Sequence, residues 1–325
     1  MTTSMPSRPV ASPSITARTP DDILAAVPIL IGFTPEESIV MLTLGPQPCF
    51  HARIDLPERG EEWPVVFDRL LTPALAYGVN RVAFVVYAES APRMRALGNA
   101  LVRHFQEHEV EVVAALQADG SRWFPLLPGC VGAGVPYDPG AHPITAQAVF
   151  DGLVTFASRA DLAASIDPAP DQIALVTAAL AELSPASTVV GEEGEWVDTV
   201  IPGPGRYRAL EPSELARLLR AVQEIEPRDR AWLRMRRQDA DQHVAFWTQV
   251  VRQAPPELVP APAALLAFAA WLAGRGALAW CALERCAEVD PDYSLAALLT
   301  RLLDEAVPPH AWERFAQHTE RAGPA

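Results

Sequence analysis

Three acidic residues stand just beyond segments that read as β-strands. Asp55 closes FHARIDL, Glu89 follows RVAFVVY, and Asp119 follows EVEVVAAL. In open α/β sheets, ligands sit beyond the carboxyl ends of parallel strands. Carboxylates gathered along such an edge can bind a sugar, an amine or a metal ion. Tyr87 ends its strand beside them, and Trp123 can wall a pocket. The same acids also suit a simpler role, as caps of the turns and helices that follow strands. The segment Gly32-Phe33-Thr34-Pro35-Glu36-Glu37-Ser38 offers Glu37 or Glu36 as a general base and Ser38 as a hydrogen-bond donor. The competing reading is structural: Gly32 and Pro35 shape a turn and Ser38 opens a strand. A serine nucleophile needs a partnered histidine and an oxyanion hole, and no motif specifies either. The ligand-binding candidates are therefore Asp55, Tyr87, Glu89, Asp119, Trp123 and Glu37, and no catalytic residue is assigned.

Other groups carry weaker chemistry. His104 and His108 lie one helical turn apart, a spacing metal ligands use, but the intervening residues do not form H-E-x-x-H. Both fall at a predicted helix C-terminus, where histidine interacts favourably with the helix dipole. No metal is assigned to them. Arg228, Arg230, Arg234, Arg236 and Arg237 form a basic cluster in an acidic chain. It can clamp a phosphate or an acidic partner, or it can be a salt network closed by Asp229, Asp239 and Asp241. His243 and Trp247 share one helix face and can line a groove, although aromatic residues at helical spacing commonly form core. Arg234, Arg237, His243 and Trp247 are the interaction candidates.

These residues must be positioned by two kinds of element. Thr19, Pro20, Asp21 and Asp22 mark a helix start, and Pro28 is expected to end that helix. Ser38–Leu44 and Phe50–Leu56 read as a hairpin across the turn Gly45-Pro46-Gln47-Pro48. A βαβαβ rhythm follows. Arg81–Tyr87 is a near-continuous apolar run, as in strands covered on both faces. Met94, Leu97, Leu101 and Phe105 form one helical stripe. Arg122-Trp123-Phe124 begins an edge strand, and Leu127–Pro143 is a long Gly- and Pro-rich loop. The expected fold is α/β: a mixed, mostly parallel, three-layer sheet domain followed by an all-α, tetratricopeptide-like domain. The expected divisions are a disordered tail over 1–19, the α/β domain over 20–190, a linker over 191–209 and the helical domain over 210–320.

Composition sets the limits. The chain has 325 residues, enough for two packed units. Its formal charge is −14, which disfavours nucleic acid or an anionic membrane as partner. All 26 basic residues are arginine, which excludes Schiff-base lysine chemistry and a Walker-A phosphate clamp. No G-x-G-x-x-G follows any strand, and no cofactor is expected. The first twenty residues lack the apolar run of a signal peptide. Leu258–Leu283 is apolar but interrupted by Pro260, Pro262 and Gly274-Arg275-Gly276, so it reads as two short buried helices rather than a membrane span. The cysteines Cys49, Cys130, Cys281 and Cys286 form no C-x-x-C and suit reduced thiols in a cytoplasm.

The segments DILAAVPILIGFTPEESIVMLTL, ARIDLP, RVAFVVY, SRADLAASI and the C-terminal HVAFWTQVVRQAPPELVPAPAALLAFAAWLAGRGALAWCALERCAEVDPDYSLAALL resemble the bacterial family catalogued as domain of unknown function 4192. The resemblance runs from about Asp21 to Pro309. It implies a cytoplasmic protein of high-GC Gram-positive bacteria, and it implies no activity. Members that it resembles often carry several cysteines after an Asp-Gly-x-x-Trp motif, where this chain has only Cys130. A zinc site needs about four ligands, so the resemblance implies none here. Two functions follow as expectations. The first is a non-catalytic protein-interaction or regulatory module with an unknown protein partner. The alternative is a small-molecule-binding protein or enzyme with its site at the strand ends.

Overall fold

The computed structural model describes residues 15–45, 50–58, 60–89, 92–130, 132–184, 191–203 and 208–313. Their contacts divide the chain into two units that meet between Arg159 and Ala160. The turn expected at Pro46–Pro48, Cys49, Ser90 and the first fourteen residues of the expected tail lie outside the described residues.

The first unit is built on one six-stranded sheet. Helix α1 (Pro20–Ile31) starts as the sequence suggests: the Thr19 side chain accepts from the Asp22 N–H, and the Asp22 carboxylate accepts from the Thr19 N–H. Pro28 does not end it. The helix runs on to Ile31 and closes at Gly32, whose φ of 93° is the left-handed cap conformation. Strands β1 (Ser38–Thr43) and β2 (His51–Asp55) form the expected hairpin. Helix α2 (Trp63–Ala76), strand β3 (Arg81–Tyr87), helix α3 (Pro92–Gln106) and strand β4 (Glu111–Ala118) follow. Then come β5 (Arg122–Pro125), β6 (Val135–Pro136) and helix α4 (Pro143–Phe150). The short β6 lies inside the segment expected to be all loop.

Strand order is β2-β1-β3-β4-β5-β6. The expected mostly parallel sheet is not found: β3–β4 is parallel, and the other four pairings are antiparallel. The reason is connection length. The Asp119-Gly120 turn and the short link from β1 to β2 can join only antiparallel neighbours, whereas β3 reaches β4 through a whole helix. Alternate residues Ile39, Met41, Phe84 and Val86 face α2 and α3 in a continuous core with Leu70, Leu97, Leu101 and Phe105. Val40, Leu42, Ala83 and Val85, of the opposite parity, are buried as well. The sheet is therefore covered on both faces. Helix α1 lies against β2 and against α4, where His142 Nε2 stands 3.3 Å from Asp22 Oδ1.

The second unit is helical: α5 (Arg159–Ala164), which begins at the division, α6 (Pro170–Glu182), α7 (Glu192–Val200), α8 (Pro212–Ala221), α9 (Ile225–Leu233), α10 (Ala240–Gln253), α11 (Pro260–Leu272), α12 (Gly276–Ala287) and α13 (Ser294–Asp304). Helix α7 occupies much of the segment expected as linker. Every residue of α11 is buried, and α9, α10, α12 and α13 all touch it. That arrangement does not support the expected tetratricopeptide-like hairpin stack, whose repeats contact only their neighbours and leave an extended surface open. An Ala-rich helix with no exposed stripe belongs at the centre of a bundle. Gly274, with φ of 75°, breaks α11 from α12. No helix among the described residues is long and apolar enough to cross a membrane.

Candidate functional site

The register aligns one end of the whole sheet. Asp55 opposes Ser38, Ser38 opposes Tyr87, Tyr87 pairs with Ala118, Ala118 opposes Trp123, and Trp123 opposes Val135. Cross-strand partners share a face, so these six residues form one row along the edge where the strand-end candidates were expected. Tyr87 and Trp123 flank the small Ala118. Ser38 Oγ and Trp123 Nε1 are buried there without a hydrogen-bond partner among the described residues.

The carboxylates do not converge on that row. Asp55 and Asp119 are three strands apart, about 14 Å at the usual spacing between strands. Asp55 is 84 % exposed and sits 2.6 Å from Arg53 of its own strand. Asp119 Oδ1 accepts from the Ser121 N–H at 2.9 Å, the Ser121 hydroxyl at 3.0 Å and the Arg122 N–H at 2.7 Å. These bonds, the Ser121 amide foremost, hold its carboxyl below the usual range against a modest desolvation. Asp119 is thus committed to a turn. Glu89 is exposed. Glu37 is exposed in the left-handed region at φ of 36°, and its carbonyl accepts from the Leu56 N–H at 2.8 Å. Its neighbour Ser38 is fully buried, so the two do not present a base and a donor to one substrate. Burial raises the Tyr87 phenol, with a smaller contribution from nearby Tyr137. Burial and the Asp119 charge raise Tyr137 in turn. Tyr137 was not singled out in the sequence, where nothing marks it among loop residues.

In the helical unit three of the four interaction candidates, Arg234, His243 and Trp247, are used internally. Arg234 donates to Asp198 at 2.7 and 2.8 Å, and Arg230 donates to the same carboxylate at 2.8 Å. Burial raises the Asp198 carboxyl, but the bonds from Arg234 and Arg230 outweigh it and hold the group below its ordinary range. The network expected from Asp229, Asp239 and Asp241 has Asp198 of α7 as its hub. Asp229 pairs with Arg228, and Asp241 pairs with Arg275. Arg237 is exposed. His243 and Trp247 are 0 % exposed, so neither lies on a surface a partner can touch. Asp239 Oδ1 is 3.9 Å from His243 Nε2, and burial pushes the imidazole down to about 4. His243 is therefore neutral near pH 7.

A different part of the first unit is open. Between α2 and α3 lies a cleft of about 270 Å³ lined by Gly60, Trp63, Pro64, Phe67, Ala100, Arg103, His104 and Glu107. Trp63 and Phe67 supply an apolar wall. Trp63 Nε1 is buried without a partner among the described residues. Arg103 and Glu107 are exposed, one helical turn apart, and neither has an ion pair among the described residues. His104 donates from Nε2 to Asp68 of α2 at 2.9 Å, and His108 donates from Nδ1 to the His104 carbonyl at 2.8 Å. Those bonds fix the α3 wall and account for the histidine spacing seen in the sequence. No group of three or more potential metal ligands occurs among the described residues. Sequence reasoning noted His104 but missed Trp63, Arg103 and Glu107. The available signal was Arg103, His104 and Glu107 on the side of the helix flanking the Leu97–Leu101–Phe105 core stripe.

A family model described as "Domain of unknown function (DUF4192)" matches residues 20–310. No curated protein matches the chain. No solved structure matches it either.

Proposed function

The chain belongs to the DUF4192 family, and we propose that it acts by binding rather than by catalysis, as an interaction or regulatory module whose ligand contact is the α2–α3 cleft. One observation carries the reading. The cleft sets the Arg103 guanidinium and the Glu107 carboxylate, neither with an ion pair among the described residues, beside an apolar wall. Binding sites combine those features: apolar lining and a few convergent polar groups. The acids at the strand ends support the non-catalytic half of the reading. Asp55 and Asp119 stand too far apart, and are too committed to Arg53 and to a turn, to divide acid and base work on one substrate. A cytoplasmic location fits the exposed thiol of Cys130 and the Cys286 thiol, which burial, then the Asp290 charge, push up to about 12.

A second reading has its own observation. Ser38 Oγ and Trp123 Nε1, buried without a partner among the described residues, favour a polar ligand along the sheet edge. Native mass spectrometry of gently purified protein separates the two. A bound small molecule that is lost on Ala100→Phe, which fills the cleft, supports the cleft. A ligand lost on Ser38→Val but retained in Ala100→Phe moves the site to the sheet edge. Turnover of a metabolite by the purified protein overturns the non-catalytic reading.

A further inference from the structure

We infer that the α2–α3 cleft selects a free α-amino acid with an apolar side chain. The inference rests on the binding reading above and names the ligand class of that same site. Charge complementarity decides it. Arg103 and Glu107 are of opposite sign, stand one helical turn apart on the rim, and have no ion pair among the described residues. A simple anion gains Arg103 and meets Glu107, and a simple cation does the reverse. Each mono-ion therefore pairs with one rim charge and is opposed by the other. A zwitterion satisfies both at once. The carboxylate accepts from the Arg103 guanidinium. Glu107 accepts from the ammonium. The side chain then lies on Trp63 and Phe67, the apolar wall of the cleft. A peptide terminus carries only one of the two charges, so the pairing specifies a free amino acid. A cleft of about 270 Å³ suits one small metabolite rather than a larger ligand.

The test uses three matched probes followed by fluorine NMR on the full chain: 4-fluoro-L-phenylalanine, 3-(4-fluorophenyl)propionate and 4-fluorophenethylamine. The second lacks the ammonium and the third lacks the carboxylate. Exposed ion pairs are weak, so the amino acid is expected to bind about fivefold more tightly than either relative. Arg103→Gln removes its advantage over the amine, Glu107→Gln removes its advantage over the acid, and both charges are surface changes that leave the fold intact by circular dichroism. If the three probes bind alike, or a mono-ion binds best, the zwitterion inference is overturned, and loss of that binding in Ala100→Phe leaves the cleft reading standing. Absence of amino-acid binding overturns the inference as well. Binding unaffected by Ala100→Phe overturns the cleft reading itself.

Discussion

Two arginine-bearing surfaces of the same protein show opposite use of charge. In the helical unit Asp198 draws in Arg230 and Arg234, Arg217 meets Glu193 at 3.0 Å and stacks over the Trp196 ring, and Arg275 meets Asp241. At the end of α3 and in the turn that follows it, Arg103 and Glu107 lie beside a tryptophan and have no such partners among the described residues. The first arrangement spends its charges on holding helices together. The second leaves them available to something else. A basic cluster in a sequence is therefore a poor guide to a binding surface. Whether carboxylates from other elements reach it decides its role, and Asp198 is 36 residues upstream of Arg234.

The comparison breaks most clearly through tryptophan. Trp247 is wholly buried in the bundle, so Trp247→Ala is expected to cost about 3–5 kcal/mol in chemical denaturation. Trp63→Ala, at the cleft, is expected to cost clearly less because its ring is only partly buried. Similar losses at both would erase the distinction drawn between a core residue and a cleft residue.

The next effect is a pH dependence. Burial depresses the His243 pKa to about 4 from an ordinary 6.5, so the fold holds the neutral ring. Its penalty is absent above pH 6.5, grows as pH falls through that value, and levels off below about pH 4. The penalty reaches on the order of 3 kcal/mol. Urea denaturation at pH 7 and pH 4.5 should show this loss in the wild type and a shallower one in His243→Phe, which has no group to protonate. Asp239, the carboxylate 3.9 Å away, is itself raised by burial and remains in both proteins, so the difference isolates the imidazole.

Smaller effects sharpen the charge argument. Asp198→Asn leaves Arg230 and Arg234 without their shared carboxylate and is expected to lower stability by about 2 kcal/mol. Asp55→Ala removes an 84 % exposed group and is expected to change stability by less than about 1 kcal/mol. If the sheet edge bound a ligand through Asp55, that substitution would instead abolish binding while leaving stability unchanged.

Much of the scaffold was legible in local patterns. Thr19-Pro20-Asp21-Asp22 specified a capped helix start, the Met94–Phe105 stripe specified which face of α3 is core, and Gly274 specified the break in the long apolar stretch. Strand direction was not legible, because β1 pairs antiparallel with β3 across an intervening hairpin partner and a helix. The helical stack was misread because spacing reveals that α11 and α12 exist, while enclosure of α11 depends on four other helices. Candidate residues showed the same split. Asp55, Tyr87 and Trp123 do lie in one row at one end of the sheet, since strand ends are local features. Which acids meet there depends on strand order, and β1 and β3 stand between Asp55 and β4. The cleft needed both Trp63 and Arg103, forty residues apart, on helices whose packing only the tertiary structure supplies.

The most direct test follows the tryptophan indole resonances. With indole nitrogens labelled and the Trp63 and Trp123 signals assigned from Trp63→Phe and Trp123→Phe, 4-fluoro-L-phenylalanine is titrated into the wild-type protein. Binding at the cleft predicts that the Trp63 signal moves progressively while the Trp123 signal at the sheet edge stays fixed. Movement of Trp123 with Trp63 unchanged, or no movement of either, contradicts the account.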